Sequence, residues 1–254
     1  MAESSSDAGS AVPRAAGLAR RVTRLTARLT YREIEVVAVG DTPPGPAVLV
    51  SNHFGGVADA LLLGSVTRRF PRIVARDLIW KYPVARQIMT AIGAIPVHRR
   101  ADTAGGKPDN DAMFASCYQA LADGSLVLIF PEGVTQDVPY LAPVKSGAAR
   151  IALGAVASGV DTVTVQAAGI HYEDKAAFRS RVLVAFGGSL PVSSAGAFAA
   201  DPGDRSAVHQ LTSAVDTGLR QTAPDYTDWD QAADLHLAAS TTLRELGSTP
   251  EPVD

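Results

Sequence analysis

The 254-residue chain has one cysteine, Cys117. A single thiol excludes an internal disulfide framework and suits a reducing compartment. Cys117 also falls within Asp109 to Ala122, which reads as a helix, so a nucleophilic role is not expected of it. There is no run of about 18 or more apolar residues, which excludes the ordinary signature of a transmembrane helix. Residues 1–12 are rich in Ser, Ala and Gly and lack a basic start followed by an apolar block. They read as a disordered tail rather than a secretory signal, and an intracellular, cytoplasmic protein is expected. With 19% charged residues and a net charge of −3, the composition gives no global reason to expect nucleic acid. No internal repeat occurs, and no His, Cys or Asp cluster has convincing metal-ligand spacing.

What the chain does have is apolar substance: 46% hydrophobic residues over a length suited to one large domain with appendages. Residues 13–30 form a basic amphipathic helix, with Leu18, Val22, Leu25 and Leu29 at helical spacing and Arg14, Arg20, Arg21, Arg24 and Arg28 elsewhere. Its leucines either pack on the domain or lie in the acyl boundary of an anionic membrane with the arginines near phosphates. Residues 201–254 carry ten Asp and Glu against three Arg and no Lys. This acidic helical C-terminal extension leaves the first helix as the membrane-facing candidate, on the inner face.

Between these ends, strands and helices alternate. Strands are expected at 34–39, 47–50, 72–75, 95–98, 125–130, 163–170 and 181–186. Helices are expected at 57–67, about 80–92, 109–122, 146–156, 206–221 and 229–246. That alternation predicts an α/β fold, an open sheet flanked by helices, occupying residues 31–200.

Three loops leave strand ends with reactive or ligand-binding groups. The first is Ser51-Asn52-His53-Phe54-Gly55-Gly56-Val57-Ala58-Asp59. An imidazole titrates near neutrality, so a His held by a carboxylate can take a proton from a hydroxyl. Alternatively, His53 is a hydrogen-bonded loop residue and Asp59 a first-turn acid at a helix start. The second loop carries Arg99 beside Arg100, and a guanidinium fork suits a phosphate. The third is Phe130-Pro131-Glu132-Gly133, where the glycine permits close backbone approach to a ligand. Lys145-Ser146-Gly147 then opens a helix whose amides can hold an anion. If the strands are parallel neighbours, these loops converge at their carboxyl ends.

Together these residues resemble the glycerolipid acyltransferases, the lysophosphatidate and lysophospholipid acyltransferase superfamily. Four ordered blocks carry the resemblance over residues 34–192: Asn52-His53 with Asp59; Gly93-Ala94-Ile95-Pro96-Val97-His98-Arg99; Phe130-Pro131-Glu132-Gly133 with Lys145-Ser146-Gly147; and the apolar strand Val163 to Ile170. Two features depart from the family pattern. Five residues, Phe54 to Ala58, separate His53 from Asp59, one more than is usual, and Ala167 stands about where a proline is common. An extra helical residue turns a side chain by about 100 degrees. Gly55-Gly56 can absorb it as a bulge before the helix starts, so the pair is expected to survive.

The resemblance implies a mixed sheet of the glycerol-3-phosphate acyltransferase kind. It further implies transfer of a fatty acyl group from acyl-CoA or acyl carrier protein to a hydroxyl of a lysophospholipid or glycerol-phosphate-like acceptor. His53 would be the general base oriented by Asp59, while Asn52, Arg99, Glu132, Gly133 and Lys145 would bind substrate. No metal or other cofactor is implied. The alternatives are a thioesterase-type hydrolase using the same pair and a noncatalytic lipid-binding protein on the same fold.

Overall fold

Ala47–Ser51 is apolar up to its final serine and completely buried, as expected of a strand covered on both faces. In a computed structural model of the protein, which describes residues 15–38, 43–98, 110–135, 138–196, 198, 202–232, 234, 235 and 238, this strand sits centrally in a seven-stranded sheet. The elements are α1 (Ala16–Thr30), β1 (Glu33–Ala38), β2 (Ala47–Ser51), α2 (Val57–Val66), β3 (Arg72–Arg76), α3 (Pro83–Ala91) and β4 (Ile95–Val97). They continue with α4 (Asp111–Ala122), β5 (Leu126–Ile129), α5 (Gly147–Ala157), β6 (Thr162–Tyr172), β7 (Arg181–Ser193) and α6 (Arg205–Thr222). The strand order is β1-β7-β6-β2-β5-β3-β4, parallel at every junction except β6 with β7. β2 and β5 are thus parallel neighbours, which brings the loops after Ser51 and after Ile129 together.

Side-chain alternation divides the core in two. Ala47, Leu49, Leu126, Leu128 and Ile170 face Ala27 of α1 and Leu62 and Leu63 of α2. Val48, Val50, Val127, Val163 and Val165 face α4, α5 and α6. The strand read at 181–186 runs on to Ser193 through an extra residue in β7, where the β6 register shifts between Gln166 and Ala168. That bulge reverses the strand's faces: Val182, Val184 and Phe186 join the α1 and α2 side, whereas Val192 joins the other.

The helix expected over 80–92 is divided. A 3-10 turn at Asp77–Lys81 ends at Tyr82, which is extended, and α3 restarts with Pro83 in its first turn. Proline forces the residue before it out of helical geometry yet is well placed at a helix start.

Helix α1 packs through small residues. Ala16, Thr23 and Ala27 are buried, while Leu18, Val22, Leu25 and Leu29 are 53–66% exposed. The leucines therefore do not seal α1 onto the domain. At the other end of the chain, α6 lies within the main core, burying Val208, Leu211, Val215 and Leu219. It approaches β6 so closely that a Cβ on Gly169 would stand 1.9 Å from the Thr222 carbonyl oxygen. His171 fastens the same point, its ring Nε2 lying 2.6 Å from that oxygen. Because the obstacle is backbone, Gly169→Ala should lower stability by about 1–3 kcal/mol through overpacking. Thermal unfolding checks this, and an unchanged midpoint would show that α6 yields freely. Of the second C-terminal helix expected at 229–246, Trp229–Ala232 with Asp234, Leu235 and Ala238 are helical, and the remainder lies outside the described residues, as does the tail 1–12.

Candidate active site

The strand end, the Gly-Gly turn and the start of α2 together build the His53 site. Gly56 adopts φ 65° at the N-cap of α2, a left-handed setting that costs glycine little and most residues more. The turn absorbs the additional residue, and Asp59 comes back under the imidazole: His53 Nδ1 is 2.9 Å from Asp59 Oδ2. The Asp59 side chain is 1% exposed and that of His53 18%. Every polar contact on Asp59 comes from a donor. The Gly55 amide donates to both carboxylate oxygens at 3.1 and 2.9 Å, and the Tyr172 hydroxyl donates to Oδ1 at 2.6 Å. This donor set suits an ionised carboxylate, which fixes the His53 tautomer with its proton on Nδ1 and its lone pair on Nε2. The imidazole also stacks on Phe130, with ring centroids 4.0 Å apart and planes inclined by 18°.

The Phe130-Pro131-Glu132-Gly133 turn closes the opposite side. Glu132 is 1% exposed, and each of its oxygens is taken by a backbone amide: Oε1 by His53 at 2.8 Å and Oε2 by Ala142 at 3.0 Å. Burial pushes its carboxyl above the usual range, against the opposing pull of the two amides and of His53. Glu132 thus ties the His53 loop to the segment before α5. Asn52 has a similar task. It is fully buried, donating from Nδ2 to the Ile170 carbonyl at 3.0 Å and accepting from the Ile170 amide at 2.7 Å. Both residues, read from the resemblance as substrate-binding, touch protein backbone here.

Gly133 is at φ 65°, and a Cβ on it would meet Lys145 Nζ at 2.6 Å, so the lysine lies directly over the turn. The Lys145 amide donates to the Pro131 carbonyl at 2.9 Å. Arg99 lies outside the described residues; its strand, β4, is the sheet edge two places from β5. Beside the Gly-Gly turn opens a recess of about 350 Å³ bordered by Tyr31, Phe54, Gly55, Tyr172 and Lys175. Cys117 is buried elsewhere, its thiol pushed up to about 12 by desolvation and therefore protonated at neutral pH. Among the described residues, no three His, Cys, Asp or Glu side chains are grouped so as to hold a metal ion.

Tyr172 and Tyr31 are the site residues that sequence reasoning missed. The strand had been expected to stop at Ile170, whereas β6 runs two residues further, and that extension brings Tyr172 to Asp59. A hydroxylated aromatic just past an apolar strand next to the His-bearing one was the available signal.

A sheet whose central strand delivers a carboxylate-held histidine beside a Phe-Pro-Glu-Gly turn defines the class of protein. Residues 29–170 match the pattern of the Acyltransferase family, and the chain belongs to that family. It is 36% identical over 124 residues to glycerol-3-phosphate O-acyltransferase 2 of Saccharomyces cerevisiae, covering 47% of this chain and 17% of that one. It is 29% identical over 113 residues to the lysophospholipid acyltransferase LPEAT1 of Arabidopsis thaliana, covering 44% and 28%. The chain therefore spans less than a third of the length of either relative. Its fold is shared by the 1-acyl-sn-glycerophosphate (LPA) acyltransferase PlsC of Thermotoga maritima, with a TM-score of 0.55, 16% identity and coverage of 81% of this chain and 78% of that one.

Proposed function

We propose that the protein is a glycerolipid O-acyltransferase that moves a fatty acyl group from an acyl thioester, on CoA or a carrier protein, to a hydroxyl of a lysophospholipid or glycerol-phosphate-like acceptor. The observation that carries this reading is the 2.9 Å contact between His53 and Asp59 in a partly exposed strand-end loop. Nε2 takes the proton of the acceptor hydroxyl as its oxygen attacks the thioester carbonyl. The C–O bond forms, the C–S bond breaks, and the imidazolium returns the proton to the departing thiolate. Asp59 stabilises the imidazolium and holds its tautomer. Lys145 and the α5 amides offer positive potential for an anionic group, and Arg99 is assigned the acceptor phosphate. The chemistry needs neither a covalent acyl-enzyme nor a metal or other cofactor.

Incubation of the protein with a palmitoyl or oleoyl thioester and a panel of lysophospholipids and glycerol 3-phosphate, with mass spectrometry of the products, tests the reading. A new ester that needs both substrates is expected. Free fatty acid alone would favour a thioesterase, and lipid binding without chemistry a noncatalytic protein.

The reading places the protein peripherally on the cytoplasmic face of a membrane. Among the described residues no helix is long and apolar enough to cross one. The exposed Leu18, Val22, Leu25 and Leu29 beside the exposed Arg21, Arg24 and Arg28 support contact through α1. Each buried leucine contributes about 1.5–3 kcal/mol. Replacing Leu18, Leu25 and Leu29 together by Ser should therefore weaken sedimentation with phosphatidylglycerol–phosphatidylcholine vesicles by at least about 100-fold. Unchanged binding would remove α1 from the contact.

A further inference from the structure

We propose that Tyr172 is a positioning residue for the His53–Asp59 pair, its hydroxyl clamping the carboxylate so that the lengthened Gly-Gly loop still aims the imidazole. This rests on the assignment of His53 as the base.

The Asp59 carboxylate is in effect sealed from water, so its oxygens depend on protein donors. Oδ2 has His53 and the nearer Gly55 contact, whereas Oδ1 has only the longer Gly55 contact apart from Tyr172. At 2.6 Å the phenol makes the shortest contact on the carboxylate and anchors the lobe that His53 does not use. The clamp also explains the glycine. A Cβ on Gly55 would stand 2.7 Å from both Asp59 Oδ1 and the Tyr172 hydroxyl, so a side chain at the loop's first glycine would force the two apart.

Tyr31 lies behind the clamp, its ring centroid 6.1 Å from that of Tyr172 and the rings inclined by 34°. Burial first, and then the Asp59 charge, push the Tyr172 phenol far above its ordinary range, so it remains a donor. Among the described residues, charged groups beside the pair include Glu132, at the His53 amide, and Lys175, whose Nζ is 3.4 Å from the Phe54 carbonyl oxygen.

Loss of the phenol leaves more negative charge on Asp59 to hold the imidazolium. The acid limb of kcat against pH then moves upward. The experiment compares full pH profiles of the wild type, Tyr172→Phe and His53→Ala in the thioester assay. Tyr172→Phe is expected to lose about 10-fold in kcat, as for a hydrogen bond to a charged group, with KM unchanged and the acid limb displaced upward. A purely structural role would lower activity without moving that limb. A Tyr172→Phe profile superimposed on the wild type, with His53→Ala inactive, would overturn the inference alone. Full activity in His53→Ala would instead overturn the assignment beneath it. If Tyr172→Phe does not fold by circular dichroism, Gly55→Ala replaces it, its Cβ pushing the phenol and the carboxylate apart. A smaller upward displacement is then expected, and an unmoved limb overturns the proposal.

Discussion

His53→Ala should abolish acyl transfer, lowering kcat by about 100-fold to 10,000-fold while the protein stays folded and binds lipid. The imidazole is the group that both faces the loop and is held by a buried carboxylate. Its removal takes away the proposed general base but little of the core, because its side chain is partly exposed and its ring contributes mainly the stack on Phe130. Circular dichroism and steady-state assay of one preparation separate the two effects. Retained folding with lost transfer is expected; retained transfer would mean that another group accepts the proton.

The second large effect is expected at Glu132, by a different route. Its two oxygens each receive a backbone N–H, from His53 and from Ala142. Glu132→Gln keeps the size but replaces one acceptor with an NH₂, which must confront one of those two donors. A buried mismatched donor costs about 1–3 kcal/mol. For a domain of this size that corresponds to a fall in Tm of about 2–4 °C per kcal/mol. Activity should fall as well, since losing either bond loosens the link that holds the His53 backbone to the segment before α5. A substrate-contacting Glu132 would give another pattern, with KM raised and Tm unchanged, so thermal unfolding alongside kinetics decides between the two roles.

Much of this site was legible because its chemistry lies on contiguous stretches. Asn52-His53 and Phe130-Pro131-Glu132-Gly133 each follow an apolar run, and parallel pairing of β2 with β5 brings them together without further information. The Gly55-Gly56 pair likewise announced that the loop could absorb an extra residue, and the backbone does so at Gly56. Directions were less legible than positions. Sequence placed Asn52 and Glu132 at the site, but which way each side chain turns depends on backbone partners at Ile170 and Ala142, far along the chain. Amphipathic spacing in α1 defines an apolar stripe, yet the face that packs is the Ala16, Thr23 and Ala27 stripe, because small residues allow close approach to α2. Tyr172 was hidden because β6 was expected to end at Ile170, and the second half of β7 lies beyond the expected end at Phe186, past a bulge at Gly187-Gly188.

The most direct test of the account is the time course of thiol release from an acyl thioester, measured with and without a lysophospholipid acceptor, together with the ester formed. The account predicts release that depends on the acceptor and is matched one for one by new ester. Release at the same rate without acceptor, accompanied by free fatty acid, would contradict it and make the His53–Asp59 pair the centre of a hydrolase.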